Sequence, residues 1–420
     1  MNSISSASSA KGRQLLDSLA KTSNLLIIQD LDGVCMELVA DPLTRRINPD
    51  YVRAAHCFRE HFHVLTNGEH IGSRGVNLII DRALGDPEIV RQQGLYLPGL
   101  AAGGVQHQDN HGQVSHPGVS ATELAFLAQV PQKARAFLAS LLGRPPYQMA
   151  PETINPLLQA TILDNPASPT LNLNAACRQL RVSPALYLQL QQDVATFMEQ
   201  LLAEARAQQL DNAFFIHYAP NLGRHPDGTE QLKPAKNQDA GTTDFQLMLR
   251  GAIKEAGVLV ILNQYYGQIT GVYPLGYQFN VRQAPRSLET LLQLAREAFD
   301  PAWMPRILGV GDTLTSSHGS TPGEMRRGGS DRGFMTLIQA LGQAFSTANI
   351  LAWVDSSQGE VRRPGISLDI ARTNQQFSIN ELAGISDQTD PLKLDLVFPG
   401  GPQEYVQYFC QLAKQWQYSS

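Results

Sequence analysis

The residues whose types and spacing carry chemistry are Asp30, Asp32 and Gly33 in the stretch LLIIQDLDGVC. Leu25 to Ile28 form an unbroken apolar run, and two carboxylates follow at i and i+2. An apolar run that stops at Asp and Gly reads as a strand buried on both faces, and open α/β sheets hold ligands beyond the carboxyl ends of such strands. Burying carboxylates without compensation is costly, whereas a hard divalent cation such as Mg²⁺ takes carboxylate and carbonyl oxygens. Asp312 ends a second apolar run, Arg306 to Gly311, in the same way. Taken singly, each aspartate reads as a helix cap or a turn residue. The i, i+2 pair with a third acid at another strand end favours a site, in which Asp30, Asp32 and Asp312 converge on one crevice if their strands are neighbours. Thr66, Asn67 and Gly68 end a third run, where a hydroxyl and turn N–H groups can hold phosphate oxygens.

The elements that must position these residues are buried strands at Leu25–Ile28, Phe62–Leu65, Arg306–Asp312, Ile350–Val354 and Leu394–Phe398, with helical patterns such as Leu288 to Phe299 beside them. Alternating strands and helices imply an α/β layer fold. The middle of the chain differs. A Gly-rich stretch, Leu97 to Val114, precedes a region of mixed character that reads as a large inserted lobe. Ser183-Pro184 opens a helix expected to reach Ala207, with strands at Phe214–Tyr218 and Val258–Leu262. Residues 1–10 read as frayed, and Arg224 to Asp244 as a mobile loop.

Four segments carry a resemblance to a known family. DLDGV (Asp30–Val34) resembles the first motif of the haloacid dehalogenase (HAD) superfamily of phosphatases, VLTNG (Val64–Gly68) its second, and GVGDT (Gly309–Thr313) its fourth. PRSLETLL (Pro285–Leu292) is similar to the third-motif segment, where a basic residue opens a helix. The Gly-rich stretch and the final segment, Leu394 to Ala413, are similar to the sugar-phosphatase branch, and the whole chain resembles the cyanobacterial salt-tolerance phosphatases. The resemblance implies a Rossmann-like core with a parallel sheet, residues 1–116 and 284–420, and an inserted α/β cap at 117–283 that recognises the substrate.

The resemblance further implies a Mg²⁺-dependent phosphatase acting on a small phosphorylated glycoside, releasing an osmolyte. Asp30 is the implied nucleophile that forms an aspartyl phosphate, and Asp32 the general acid and base. Thr66, Asn67, Gly68 and Arg286 are the implied phosphate ligands; Asp30, the main-chain carbonyl of Asp32, and Asp312 the implied metal ligands. Two positions depart from the family pattern. Arg286 stands where Lys is usual, with Arg282, Lys254, Lys236 and Lys233 as alternatives, and Ser316 falls where a second fourth-motif acid is usual, with Asp331 as its substitute. Tyr265 and Tyr266, with Asn263 and Gln264 at the end of the expected cap strand, are candidates for sugar contacts, against an ordinary strand end with half-buried tyrosines. A sucrose- or trehalose-phosphate phosphatase, a phosphoglucomutase-like enzyme and a degenerate binding module are the rival readings.

Composition narrows the class further. Lys+Arg 33 against Asp+Glu 38 gives a net charge of −5, which argues against a protein built to grip nucleic acid. Cys35, Cys57, Cys177 and Cys410 form no CxxC pair, the polar N-terminus lacks the apolar centre of a secretory signal, and no apolar run is long enough to span a membrane. The expected setting is the cytoplasm, with no obligate protein partner. His107, His111 and His116 near Asp109 lie in a stretch that reads as a loop, so solvated histidines are favoured over a zinc site.

Overall fold

The five apolar runs lie side by side in one sheet and run parallel. The computed structural model describes residues 4–417 apart from 238, 320, 322, 368 and 371–373. Among these, the main sheet draws on β1 (Ile4–Ser6), β2 (Leu25–Gln29), β3 (Phe62–Leu65), β4 (Gly99–Ala101), β5 (Gln106–Gln108) and β6 (Val114–Ser115). The second lobe holds β7 (Ile162–Leu163), β8 (Thr170–Asn172), β9 (Phe214–Ala219), β10 (Asn221–Arg224), β11 (Glu230–Leu232) and β12 (Asp244–Leu249). The remainder are β13 (Arg306–Gly311), β14 (Thr315–His318), β15 (Met325–Gly328), β16 (Ile350–Val354), β17 (Gln376–Phe377) and β18 (Leu396–Phe398).

The main sheet has ten strands in the order β17-β1-β18-β16-β13-β2-β3-β4-β5-β6. Every pair from β1 through β18, β16, β13, β2 and β3 to β4 is parallel; the outer pairs β17–β1, β4–β5 and β5–β6 are antiparallel. All five residues of β2 and all five of β16 are buried, as parallel strands covered on both faces must be. Residues 4–6, expected to be frayed, are instead zipped between β18 and β17.

The second lobe is built on an antiparallel sheet, β7-β8-β12-β9, packed under the helix Pro184–Ala207. That helix buries Leu190, Val194, Phe197, Met198 and Leu201, a stripe at helical spacing. The stretch Arg224 to Asp244, read as a mobile loop, contributes β11, which pairs antiparallel with β10.

The expected strand Val258–Leu262 is an error of period. Those residues lie in the helix Lys254–Thr270, which packs against the helices Arg332–Phe345 and Leu288–Ala298 and against β3 and β4 of the main sheet. Ala256 to Asn263 are buried without a break, so the helix shows no polar face and its sequence imitates a buried strand. No helix among the described residues is long and apolar enough to cross a membrane.

Candidate active site

Strand register places the first acids. Gln29 pairs with Val310 across β2 and β13, and Asp30 N–H donates to Val310 O at 3.0 Å, so Asp30 and Asp312 leave adjacent strand ends together. β3 pairs on the other side of β2, and Thr66 N–H donates to Leu100 O at 2.9 Å as that strand ends. Gly33 turns the chain away from β2 at a φ of +80°, where a side-chain carbon would stand 2.1 Å from Asp312 Oδ2. Only glycine lets the acidic turn pass this close to the neighbouring strand end.

Asp30, Asp312 and Asp331 each offer an oxygen within 4.8 Å of the others, all three buried. Asp331 precedes the helix Arg332–Phe345 and turns one oxygen onto the Asp312 and Thr313 N–H groups, both at 2.9 Å. Lys254, at the first turn of its helix, donates to Asp30 Oδ2 at 2.6 Å and to Asp331 Oδ1 at 2.7 Å. Burial pushes the Asp30 and Asp312 carboxyls well above the usual range, and the neighbouring carboxylates add to that push. Asp331 feels the same burial, but Lys254 and the two N–H groups overcome it and hold its carboxyl below the usual range. Opposed to its own burial, the Lys254 ammonium is held charged by Asp30 and Asp331.

The donor set fits a divalent cation. Asp312 Oδ2 is buried and accepts no hydrogen bond, and Arg363 Nη1 stands 3.8 Å from it. Three carboxylates around one point, one of them with an unmatched oxygen, are hard donors of the kind such cations take.

Asp32 stands apart from this trio. Its Oδ2 accepts from Arg45 Nη1 at 2.7 Å, and its Oδ1 is buried without a partner. A carbon built on Gly68 would lie 3.7 Å from Asp32 Oδ2 and 3.6 Å from Thr66 Oγ1, so the Asp32 carboxylate faces the Thr66–Gly68 turn. A cleft between the main sheet and the second lobe is lined by Asp30, Asp32, Arg45, Thr66 and Gly68 from the one side and by Thr170, Asp244 and Gln246 from the other. Asn67 lines the cleft and also the adjoining cavity, where its Nδ2 lies 2.8 Å from His217 Nε2 on β9.

The family model of glucosylglycerol-phosphate phosphatase (Salt_tol_Pase) matches residues 24–413. A glucosylglycerol-phosphate phosphatase from Synechocystis sp. (strain ATCC 27184 / PCC 6803 / Kazusa) is 54% identical over 397 residues, 94% of each chain. The chain belongs to the glucosylglycerol-phosphate phosphatase family. Two solved structures also align along the length of the chain. The C-terminal domain of C. albicans trehalose-6-phosphate phosphatase has 9% identity and a TM-score of 0.43, covering 99% of both chains. The C-terminal domain of Candida albicans trehalose synthase regulatory protein has 10% identity and a TM-score of 0.46, covering 98% of this chain and 100% of that one.

In this member of the glucosylglycerol-phosphate phosphatase family several sequence expectations move. Arg286 is exposed beside Ser287, the N-cap of Leu288–Ala298, and lines neither the cleft nor the adjoining cavity. Lys254 is the basic residue at the acids, supplied by the helix that sequence reading took for a strand. Ser316 donates to Asp387 at 2.7 Å, away from the trio, and Asp331 supplies the further carboxylate.

The tyrosines are corrected too. Tyr265 is fully buried, with its hydroxyl donating to Asn24 Oδ1 at 2.7 Å near the start of β2, the opposite end of that strand from Asp30. Tyr266 packs edge-on against Phe299. Asn263 bonds Gly276 O and Leu275 N–H, and Gln264 faces His107. All four serve helix packing. His111 and His116 are likewise engaged, by Arg91 O and Gln106. Arg45, Arg363, Asp244 and Gln246 were not anticipated, since polar residues on loops and a lobe strand carry no motif; the alternation Asp244, Gln246 on one strand face was the available signal.

Proposed function

We propose that this protein is a Mg²⁺-dependent phosphatase that hydrolyses glucosylglycerol phosphate to glucosylglycerol and phosphate through an aspartyl phosphate on Asp30. The observation that carries the reading is the convergence of Asp30 with Asp312, Asp331 and Lys254 at one end of the parallel strands, where Asp30 and Asp32 line a cleft. Membership of the family supports the substrate.

An Asp30 oxygen attacks phosphorus and displaces the alcohol oxygen, so one difficult displacement becomes two easier ones. Asp32, two residues on, gives a proton to the departing alkoxide and then takes one from the water that cleaves the acyl phosphate. The Arg45 guanidinium, bonded to Asp32 Oδ2, fixes which carboxylate oxygen faces the leaving group. Lys254 and Thr66 hold phosphoryl oxygens, and Lys254 opposes the burial that raises the Asp30 carboxyl. Asp30, Asp312 and Asp331, with the Asp32 carbonyl, would hold Mg²⁺, which supplies charge neutralisation between carboxylate and phosphate. The second lobe closes the cleft over the alcohol half and excludes bulk water. The proposed setting is the cytoplasm.

Phosphate release should be measured from glucosylglycerol phosphate, sucrose phosphate, trehalose phosphate and an aryl phosphate, each with Mg²⁺ and with chelator. The reading requires metal-dependent turnover with glucosylglycerol phosphate preferred, and loss of turnover in a folded Asp30→Asn variant. Near-normal hydrolysis by that variant refutes the role of Asp30.

A further inference from the structure

Two buried polar atoms of opposite character stand without partners in residues that line the same cleft. One is Arg363 Nε, on the loop after β16; the other is Gln246 Oε1, on β12 of the second lobe. The Arg363 side chain is 12% exposed and Gln246 6%, so bulk water does not serve them freely.

Both side chains are anchored through their other atoms. Arg363 Nη1 donates to Thr313 Oγ1 at 3.1 Å, where Thr313 lines the cleft. Gln246 Nε2 donates to Thr170 Oγ1 at 3.1 Å and to Asn67 O at 3.4 Å. Anchoring fixes the direction of the remaining valences, an N–H in one place and a carbonyl oxygen in the other. Asp244, two residues from Gln246 on the same strand face, lines the cleft as well and accepts from Asn172 Nδ2 at 2.6 Å.

A buried donor or acceptor left unmatched destabilises the fold, and a binding cleft is where a ligand removes that penalty. The ligand must then both accept and donate. An ionised phosphate oxygen only accepts, so it serves Arg363 Nε and leaves Gln246 Oε1 unmatched. A hydroxyl group does both.

We propose that Arg363 and Gln246 form the subsite for the alcohol half of the substrate, Arg363 Nε–H donating to one hydroxyl and Gln246 Oε1 accepting from another, so that the cleft selects phosphate esters of neutral polyols. The proposal rests on the reading of the cleft as a phosphatase site and names its specificity residues.

The test compares kcat/KM on glucosylglycerol phosphate with kcat/KM on p-nitrophenyl phosphate, which lacks the hydroxyls. Arg363→Lys keeps a positive charge beside Asp312 and removes Nε–H; Gln246→Leu removes the acceptor. In each variant the ratio of the two values should fall roughly tenfold or more, as expected for a lost substrate hydrogen bond. An unchanged ratio, including equal loss on both esters, overturns the subsite and leaves a structural role. Wild-type protein should also bind free glucosylglycerol in a calorimetric titration, and absence of binding at millimolar concentration overturns the proposal without any variant. If wild-type protein hydrolyses neither ester, the phosphatase reading falls, and the titration with free glucosylglycerol still decides the subsite.

Discussion

Lys254 Nζ stands 2.6 Å from Asp30 Oδ2 and 2.7 Å from Asp331 Oδ1, with the Lys254 side chain 1% exposed. This ammonium is the charge that lets buried acids share one strand end. Lys254→Met should therefore lose about 3–5 kcal/mol of stability, because removing one partner strands buried charge. Phosphatase activity should fall with it. Arg286→Ala, at an exposed position before a helix cap, should leave kcat and KM unchanged. Denaturant unfolding and steady-state kinetics on the two variants separate these roles; a large kinetic loss in Arg286→Ala would return that residue to the site.

Asp331 and Ser316 part company in the same way. Asp331 joins the carboxylate trio, while Ser316 donates to Asp387. Asp331→Asn should weaken Mg²⁺ binding by roughly 100-fold or more, beyond the range for groups that only support the ligands of a metal site. Ser316→Ala should leave the titration unchanged. Isothermal titration with Mg²⁺ checks both, and equal affinities for wild type and Asp331→Asn would remove Asp331 from the site.

The pH dependence of stability follows from the acids that burial raises, Asp30 to about 8 and Asp312 to about 7. A carboxyl whose folded pKa lies above its unfolded value binds its proton more tightly in the native state. Its stabilising effect is present at low pH and fades as pH rises from the usual carboxylate range towards 8. Asp331, held low by Lys254 after burial is overcome, works in the opposite sense at acid pH. In chelator, the melting temperature should fall between about pH 5 and pH 8. Mg²⁺ binds the ionised form, so the rise in melting temperature on adding it should grow over the same interval. A Mg²⁺ effect independent of pH would contradict the assignment.

How far the sequence reaches is visible in particular residues. Asp30, Asp32, Thr66 and Asp312 were legible because each ends an apolar run, and parallel strands project their ends to one side of a sheet. The five runs also gave the parallel centre of the fold. Lys254 stood only among the alternatives to Arg286, for the reason that makes it effective. Its helix is buried all round, so the run Val258–Leu262 shows no helical period, and the lysine at its start looks like a strand-flanking residue. Tyr265 misled for the same reason, since a strand end would have exposed it to a ligand whereas a buried helix turns it towards Asn24. Arg363 and Gln246 depend on long-range packing of a loop and a second lobe, which no local pattern encodes.

Gly33 offers the sharpest geometric test. Its φ of +80° lies where side chains are strained, and an added carbon would stand 2.1 Å from Asp312 Oδ2 and 3.1 Å from Ser356 Cβ. Gly33→Ala thus carries a backbone strain of about 1–2 kcal/mol and a clash that the fold relieves only by moving Asp312 or the acidic turn. Either movement separates Asp312 from Asp30, and the carboxylate trio opens. Mg²⁺ should then no longer raise the melting temperature of a variant that still folds, and phosphate release should fall below detection. Retained metal stabilisation in Gly33→Ala would mean that the trio tolerates displacement and that the cation is held elsewhere.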